Sequence, residues 1–338
     1  MSLDELAEKR VPALNGDAES ASRYTSCVVC GQSAARAQYV VHDRLYGTTP
    51  REFQIVGCAD CGLLRLAPMP APEDLATYYP AHYWFAPDES LAGGLEESYR
   101  RLVLGDHVRF VTRALAASGE TGPVLDVGCG GGLFPRMLRE RGWPALGLDS
   151  SPDASAVAWR INHVPVLCGD LTNAPLRAGA CAAITMFHVL EHVYDPRCYL
   201  AAARELLRPR GRLIVQVPNA ACWQLRLLGT RWNGLDAPRH LTDFRARDLE
   251  ALLAGEGFEV LRRKYFSLRD NPAGLATSLA PQLDPMARRV RGVHEPAAMK
   301  LAKDLAYFGL LAASLPFTML EAAGRAGSTI MIEARIRP

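Results

Sequence analysis

The apolar positions of this 338-residue chain change rhythm twice. Between Cys27 and Leu66, two short runs of strand type, QYVVH and EFQIVG, alternate β-branched or aromatic residues with polar ones. A proline- and aromatic-rich stretch follows, APMPAPEDLATYYPAHYWF, and a helix is expected from about Leu95 to Ala117. From Pro123 onward, short apolar runs alternate with helix-length segments: PVLDVG, LFPRMLRERG, PALGLD, ASAVAWRIN, PVLCGD and CAAITMF. A helix around Tyr199–Leu207 and the run GRLIVQVPN continue the series. Strands that are apolar on both faces and separated by helices predict a parallel, doubly wound sheet covered on both sides. The expected fold class is therefore α/β.

The same pattern divides the chain. Residues 1–22 read as a disordered polar tail, 23–70 as a cysteine-bearing ribbon, and 71–118 as an aromatic connector with its helix. Residues 119–266 and 327–338 form the α/β core, whose final strands are FEVLRRKYFS and GSTIMIEARI. The 60 residues between them, 267–326, are too long for a bare loop and predict a helical lid or acceptor-binding insertion. Within it, Leu305 to Leu320 carries no charge, falls short of the ~20 residues a bilayer span needs, and contains Pro316. A buried helical hairpin or an interfacial cover is expected there, with peripheral membrane contact through 305–320 and no transmembrane span. Arg288, Arg289 and Arg291 lie in the same insertion, as a phosphate-binding group or a solvated basic face.

Composition narrows the classes. With 49% apolar and 22% charged residues the chain is an ordinary globular protein, and a net charge of +2 gives no reason to expect a polyanionic partner. Nine cysteines are too few for a disulfide scaffold, but Cys27/Cys30 and Cys58/Cys61 form two C-x-x-C pairs, each followed by glycine. Two such turns present four thiolates to one ion, and a segment of ~40 residues needs that staple to fold. Four thiolates leave no position for water, so a structural Zn2+ is expected. The start, MSLDELAEKRVP, has no apolar signal core, and a cytoplasmic location is expected.

The strand ends carry the candidate chemistry, because ligands of such sheets bind at the carboxyl edge. The first end, VLDVGCGGGLF, holds Asp126, Gly128 and Gly130; Leu133 stands where a dinucleotide fingerprint requires its last glycine, and no G-K-[ST] is present. Asp126 would repel a pyrophosphate and suits a cationic ligand. Asp149 ends the next strand, placed for ribose hydroxyls, and Asp170, followed by Leu171, ends the third, placed for an adenine amine. Three aspartates behind one glycine turn describe a cationic adenosine ligand without phosphates, S-adenosylmethionine. The fourth strand end, FHVLEHV, brings Phe187 and His188 to the same edge. Its His188, Glu191 and His192 also satisfy the H-x-x-E-H pattern of some zinc peptidases, but the preceding residues are strand-like, and the two histidines are not expected to share a helical face.

Residues 123–219 resemble the core of class I S-adenosylmethionine-dependent methyltransferases, through VLDVGCGGG and the acidic end of ALGLD. The cysteine ribbon, YYPAHYW, FHVLEHVYDP and APRHLTDF extend the likeness to sugar- and polysaccharide-pathway and ubiquinone-biosynthesis methyltransferases. The resemblance implies a Rossmann-like, seven-stranded sheet. It also implies that Asp126, Gly128, Gly130, Asp149, Asp170, Leu171, Phe187 and His188 meet the cofactor. If the acceptor is a hydroxyl, a base must take its proton; His188, His192 and His240 are the candidates, with Glu191 orienting them. Tyr78, Tyr79, Tyr83, Trp84 and Phe85 either close over the site or pack the ribbon on the core. A sugar-type small-molecule acceptor, nucleotide- or lipid-linked, is favoured, with O-methylation ahead of C-methylation. A ribosomal-RNA methyltransferase is the alternative, on the five arginines against three acids in residues 23–66, although nucleic acid is not the expected partner.

Overall fold

The computed structural model describes residues 26–79 and 91–338. The amino-terminal part supplies β1 (Ala35–His42), β2 (Glu52–Cys58) and β3 (Leu64–Leu66), then a single turn, α1 (Pro72–Leu75), and the long α2 (Leu91–Ser118). The core follows as β4 (Val124–Val127), α3 (Leu133–Arg139), β5 (Ala145–Asp149), α4 (Pro152–Arg160) and β6 (Val166–Cys168). Next come β7 (Cys181–Phe187), α5 (Pro196–Leu206), β8 (Leu207–Pro218), α6 (Trp223–Leu228), β9 (Thr242–Asp243), α7 (Ala246–Gly255) and β10 (Phe258–Lys264). The insertion contains α8 (Asn271–Leu279), α9 (Pro285–Val290) and α10 (Ala297–Ala323), and β11 (Thr329–Ile336) closes the chain.

Seven strands form the main sheet in the order β10-β11-β8-β7-β4-β5-β6. β4 pairs in parallel with both β5 and β7, and β7 with β8, while β11 runs antiparallel between β8 and β10. The order reverses at β4, so the crevice of this doubly wound sheet opens beyond the ends of β4 and β7. Every residue of β4 is buried, and β7 is buried up to Phe187, as strands covered on both faces require. Local signals set the helices that return the chain. Ser151 accepts from the Ala154 amide ahead of α4, Asp195 accepts from Arg197 and Cys198 ahead of α5, and a proline follows each cap.

The ribbon is not a separate unit. Its sheet has the order β1-β2-β3-β9, and β9 comes from the core: Leu64 pairs with Asp243 and Arg65 with Thr242. Phe53, Ile55 and Leu66 of the ribbon share a buried cluster with Leu225, Trp232 and Leu241 of the segment after β8. The domain boundary expected near residue 70 is therefore crossed by backbone hydrogen bonds. The expected interruption at Pro316 does not occur either. α10 runs through it as one 27-residue helix, long and apolar enough by length and composition to cross a membrane, with 28% of its apolar window buried. A proline forfeits one backbone bond and crowds the preceding turn; in α10 Ser314 and Thr318, on either side of it, add side-chain bonds to the Leu310 and Ser314 carbonyls.

Candidate active site and cysteine centre

The turn after β4 is shaped by glycine. Gly128 has φ +68°, and a Cβ there would lie 2.7 Å from Val189 Cγ2, so no larger residue fits without displacing the β7 loop. Gly130 then donates its amide to Asp149 Oδ2 (2.8 Å), and Ser151 donates to Asp149 Oδ1 (2.9 Å). Asp149 thus joins the ends of β4 and β5. Asp126 is fully enclosed beneath them, accepting from Thr185 Oγ1 at 2.6 Å, and burial pushes its carboxyl up to about 7. Asp170 accepts from the Thr172 amide (2.8 Å) and from the Tyr199 hydroxyl. Burial opposes its charge, yet these donors hold it below its ordinary value. Asp126, Gly128, Gly130, Asp149, Asp170, Phe187 and His188 all line one cleft of about 2360 Å3. Leu171 does not. Its side chain turns into the core, 1% exposed, because the chain bends into a 3-10 turn capped by Asp170 that leaves Thr172 and Asn173 outward.

The end of β7 is strained. His188 has φ +58°, a conformation that non-glycine residues take at a cost and that clusters at functional sites. The chain then turns without forming a helix, which separates His188 from His192. His188 Nδ1 lies 3.0 Å from Glu191 Oε1, and its Nε2 lies 2.8 Å from Gln216 Nε2 and 3.5 Å from Asp270 Oδ1. Gln216 also donates to Asp270 Oδ2 (2.7 Å). Burial disfavours a charge on this imidazole, but Asp270 and Glu191 flanking it outweigh that and raise it to about 9. His188 is therefore a poor general base at neutral pH. Glu191 does not line the cleft; it is 1% exposed and stands behind the histidines.

His192 faces the cleft on the opposite terms. Burial, and then His240 beside it, lower its pKa to about 4, which keeps the ring neutral. Its Nδ1 lies 3.1 Å from the Arg239 carbonyl and 3.0 Å from the Tyr79 hydroxyl. His240 packs edge-on against it, centroids 4.7 Å apart, with Nδ1 2.8 Å from the Gly234 carbonyl. Tyr78 is buried against Phe53; Tyr83, Trp84 and Phe85 lie outside the described residues. The three arginines of the insertion do not converge. Arg288 pairs with Glu295 and Asp304, Arg289 meets Glu96 at 3.5 Å, and both line the cleft, whereas Arg291 donates to the Arg44 and Leu45 carbonyls. Residues the sequence did not single out, Gln216 and Asp270, come from strand β8 and the entry to α8, with no motif around them.

A methyltransferase-domain family model matches residues 97–263. The ubiquinone biosynthesis O-methyltransferase of Cronobacter sakazakii is 30% identical over 173 residues, covering 48% of this chain and 70% of the relative. The chain belongs to the class I S-adenosylmethionine-dependent methyltransferases. The methyltransferase is also 34% identical over 116 residues to the ubiquinone biosynthesis O-methyltransferase of Cereibacter sphaeroides, covering 32% of this chain and 47% of that one. Among solved structures, an S-adenosylmethionine-dependent methyltransferase from Archaeoglobus fulgidus aligns with a TM-score of 0.47 at 15% identity, covering 73% of this chain and 100% of that one. The cofactor fits the residues present: an enclosed Asp126 that a cationic ligand would help to ionise, and a glycine turn on which no Cβ stands between ligand and backbone.

At the far end of the ribbon, the ligand atoms of Cys27, Cys30, Cys58 and Cys61 lie within 4.8 Å of one another. Cys27 and Cys61 sulfurs are 3.5 Å apart, as are those of Cys30 and Cys58, contacts and not bonds. Burial raises the Cys58 thiol, but the amides of Cys61 and Asp60 more than offset it and bring it down to about 6. That chemistry suits a thiolate-binding ion.

Proposed function

We propose that this methyltransferase methylates a hydroxyl oxygen of a small-molecule acceptor of sugar or glycan-precursor type, and that its four-cysteine centre holds a structural zinc ion. The observation that carries the reading is the pairing, in one cleft, of the aspartate-lined glycine turn with His192 and His240 across the end of β7, with Glu191 behind them. Bound S-adenosylmethionine supplies an activated methyl on a sulfonium. The protein's share is to hold the acceptor in line, exclude water and accept a proton. Asp149 and Asp170 are placed to take the ribose and adenine. In this reading Asp126 and the Gly128 turn meet the cationic part, and the His192–His240 side receives the acceptor's proton. His188, clamped between Glu191 and Asp270, orients the acceptor and does not act as the base. The cleft volume, about 2360 Å3, exceeds the ~1,000 Å3 upper range for one drug-sized ligand and leaves room for two.

A second reading has its own observation. Leu301, Leu305 and Phe308 of α10 line the cleft while remaining largely exposed, which would suit an aromatic acceptor with an apolar tail. Labelled methyl transfer measured against nucleotide sugars, lipid extract and ribosomal RNA separates the readings. Label in the nucleotide sugars, or on the sugar headgroup of a lipid, supports the first; label on an aromatic lipid supports the second. Label only in RNA overturns both.

A further inference from the structure

The group that faces the acceptor has a feature that proton transfer alone does not require. We propose that Glu191, His192 and His240, with Asp243 beside them, form a second metal site, separate from the four cysteines, that takes a divalent first-row transition-metal ion. One ligand atom from each of Glu191, His192 and His240 lies within 4.8 Å of the others. Donors ~2.1 Å from a shared ion stand roughly 3 to 4 Å apart, so the side chains need close by only about 1 Å.

Both rings are set for coordination. A carbonyl can only accept, so His192 Nδ1 facing the Arg239 carbonyl and His240 Nδ1 facing the Gly234 carbonyl are the protonated nitrogens. Each Nε2 therefore carries a lone pair. Fixing the tautomer through the other nitrogen is how metal-binding histidines are held. The strap Leu235–Asp243, with Asp236 receiving the Arg239 and His240 amides, keeps both carbonyls in place.

The carboxylates point to a missing cation. Glu191 Oε1 is engaged by His188, but its Oε2 is buried with no hydrogen-bond partner among the described residues. Asp243, 3% exposed, has neither oxygen partnered among them. Buried carboxylate oxygens left without donors are costly and rare. Arg239 answers Asp43 and Asp236, and His188 meets one oxygen of Glu191, which leaves Glu191 Oε2 and both Asp243 oxygens without a donor among the described residues. Two imidazoles with carboxylates suit Zn2+, Fe2+, Co2+ or Ni2+, whereas Mg2+ and Ca2+ prefer all-oxygen shells.

His192 and His240 line the cleft, so a coordination position opens toward the acceptor. With an ion there the two histidines would act as its ligands in place of the proton-accepting role given above, and a hydroxyl bound to the ion would be acidified and would release its proton to solvent. That last step rests on the proposed activity. The metal site itself does not.

The full-length protein, stripped with chelator, reloaded with Co2+ and desalted, tests the site without any turnover. Wild-type protein is expected to retain two equivalents per chain: a thiolate-to-cobalt charge-transfer band from the cysteines and a separate d–d spectrum of nitrogen and oxygen ligands. The His192→Gln/His240→Gln variant should keep the first and lose the second, with Co2+ affinity at the second site reduced ~100-fold or more. The Cys58→Ser/Cys61→Ser variant should lose the thiolate band and keep the d–d spectrum, at weaker affinity because the ribbon supports the strap. Unchanged S-adenosylmethionine binding by calorimetry certifies that the histidine variant is folded, and a single His240→Gln change serves if it is not. If the nitrogen–oxygen spectrum never forms, or survives the histidine changes, the second site is refuted. Methyl transfer by such protein would leave the proposed activity standing.

Discussion

Single carboxylates shape the proposed cofactor end of the cleft. Asp149 is shared between the Gly130 amide and the site, so Asp149→Ala removes both a ligand acceptor and the anchor of the turn. S-adenosylmethionine affinity should fall about 10- to 100-fold by calorimetry, the worth of one charged hydrogen bond. Asp126 gives a pH signature. Its folded pKa of about 7 stands above the ordinary 3.8, so between these values the unfolded chain has already released a proton that the folded one retains. Stability of the ligand-free protein must then decline as pH rises from about 4 through 7. Asp126→Asn should flatten that slope in thermal melts across pH 4.5 to 8, and an unchanged slope would place the titration elsewhere. At the adjoining turn, Gly128→Ala must push its Cβ against Val189 at a positive φ. A loss of about 1 to 3 kcal/mol in urea denaturation is expected, together with weaker cofactor binding.

Elements, by contrast, show where sequence patterns stop carrying information. The shared position of the aspartates and glycines was legible because parallel strands end on one edge, and an apolar run followed by an acid and a glycine marks that edge. Leu171 was not, since the 3-10 turn that sends it inward has no apolar period of its own. A two-residue strand such as β9 is likewise too short for any alternation, although it binds ribbon to core. Asp270 reaches His188 from an insertion more than eighty residues downstream, a proximity no local motif encodes. α10 misled for a different reason: a proline mid-run predicts a break, and packing on α8 overrides it. Arg239 belongs with these hidden connections. It is fully buried between Asp43 of the ribbon and Asp236 of the strap, and its carbonyl steadies His192. Arg239→Met leaves two enclosed carboxylates uncompensated and should cost ~3 to 5 kcal/mol in chemical denaturation. Adding Asp43→Asn and Asp236→Asn should recover part of it.

At the scale of the whole molecule, the cofactor and acceptor sides of the cleft depend on different foundations. The aspartate end rests on the seven-stranded sheet, whereas the strap bearing His240 is wedged against the ribbon through β9, Arg239 and the cluster around Trp232. Cys58→Ser should therefore raise KM for the acceptor, and lower kcat, while calorimetric affinity for S-adenosylmethionine changes less than about threefold. Equal losses on both sides would show that the ribbon supports the entire fold. The β3–β9 pairing has a practical corollary for anyone seeking a minimal catalytic fragment. Cutting the chain after the ribbon would leave Leu241 and Phe244, now enclosed, at the rim of a naked β-edge, and such edges recruit strands from other molecules. A trimmed enzyme should precipitate before it can be assayed, so the amino-terminal ribbon serves as the catalytic loop's missing neighbour and cannot be treated as a detachable accessory.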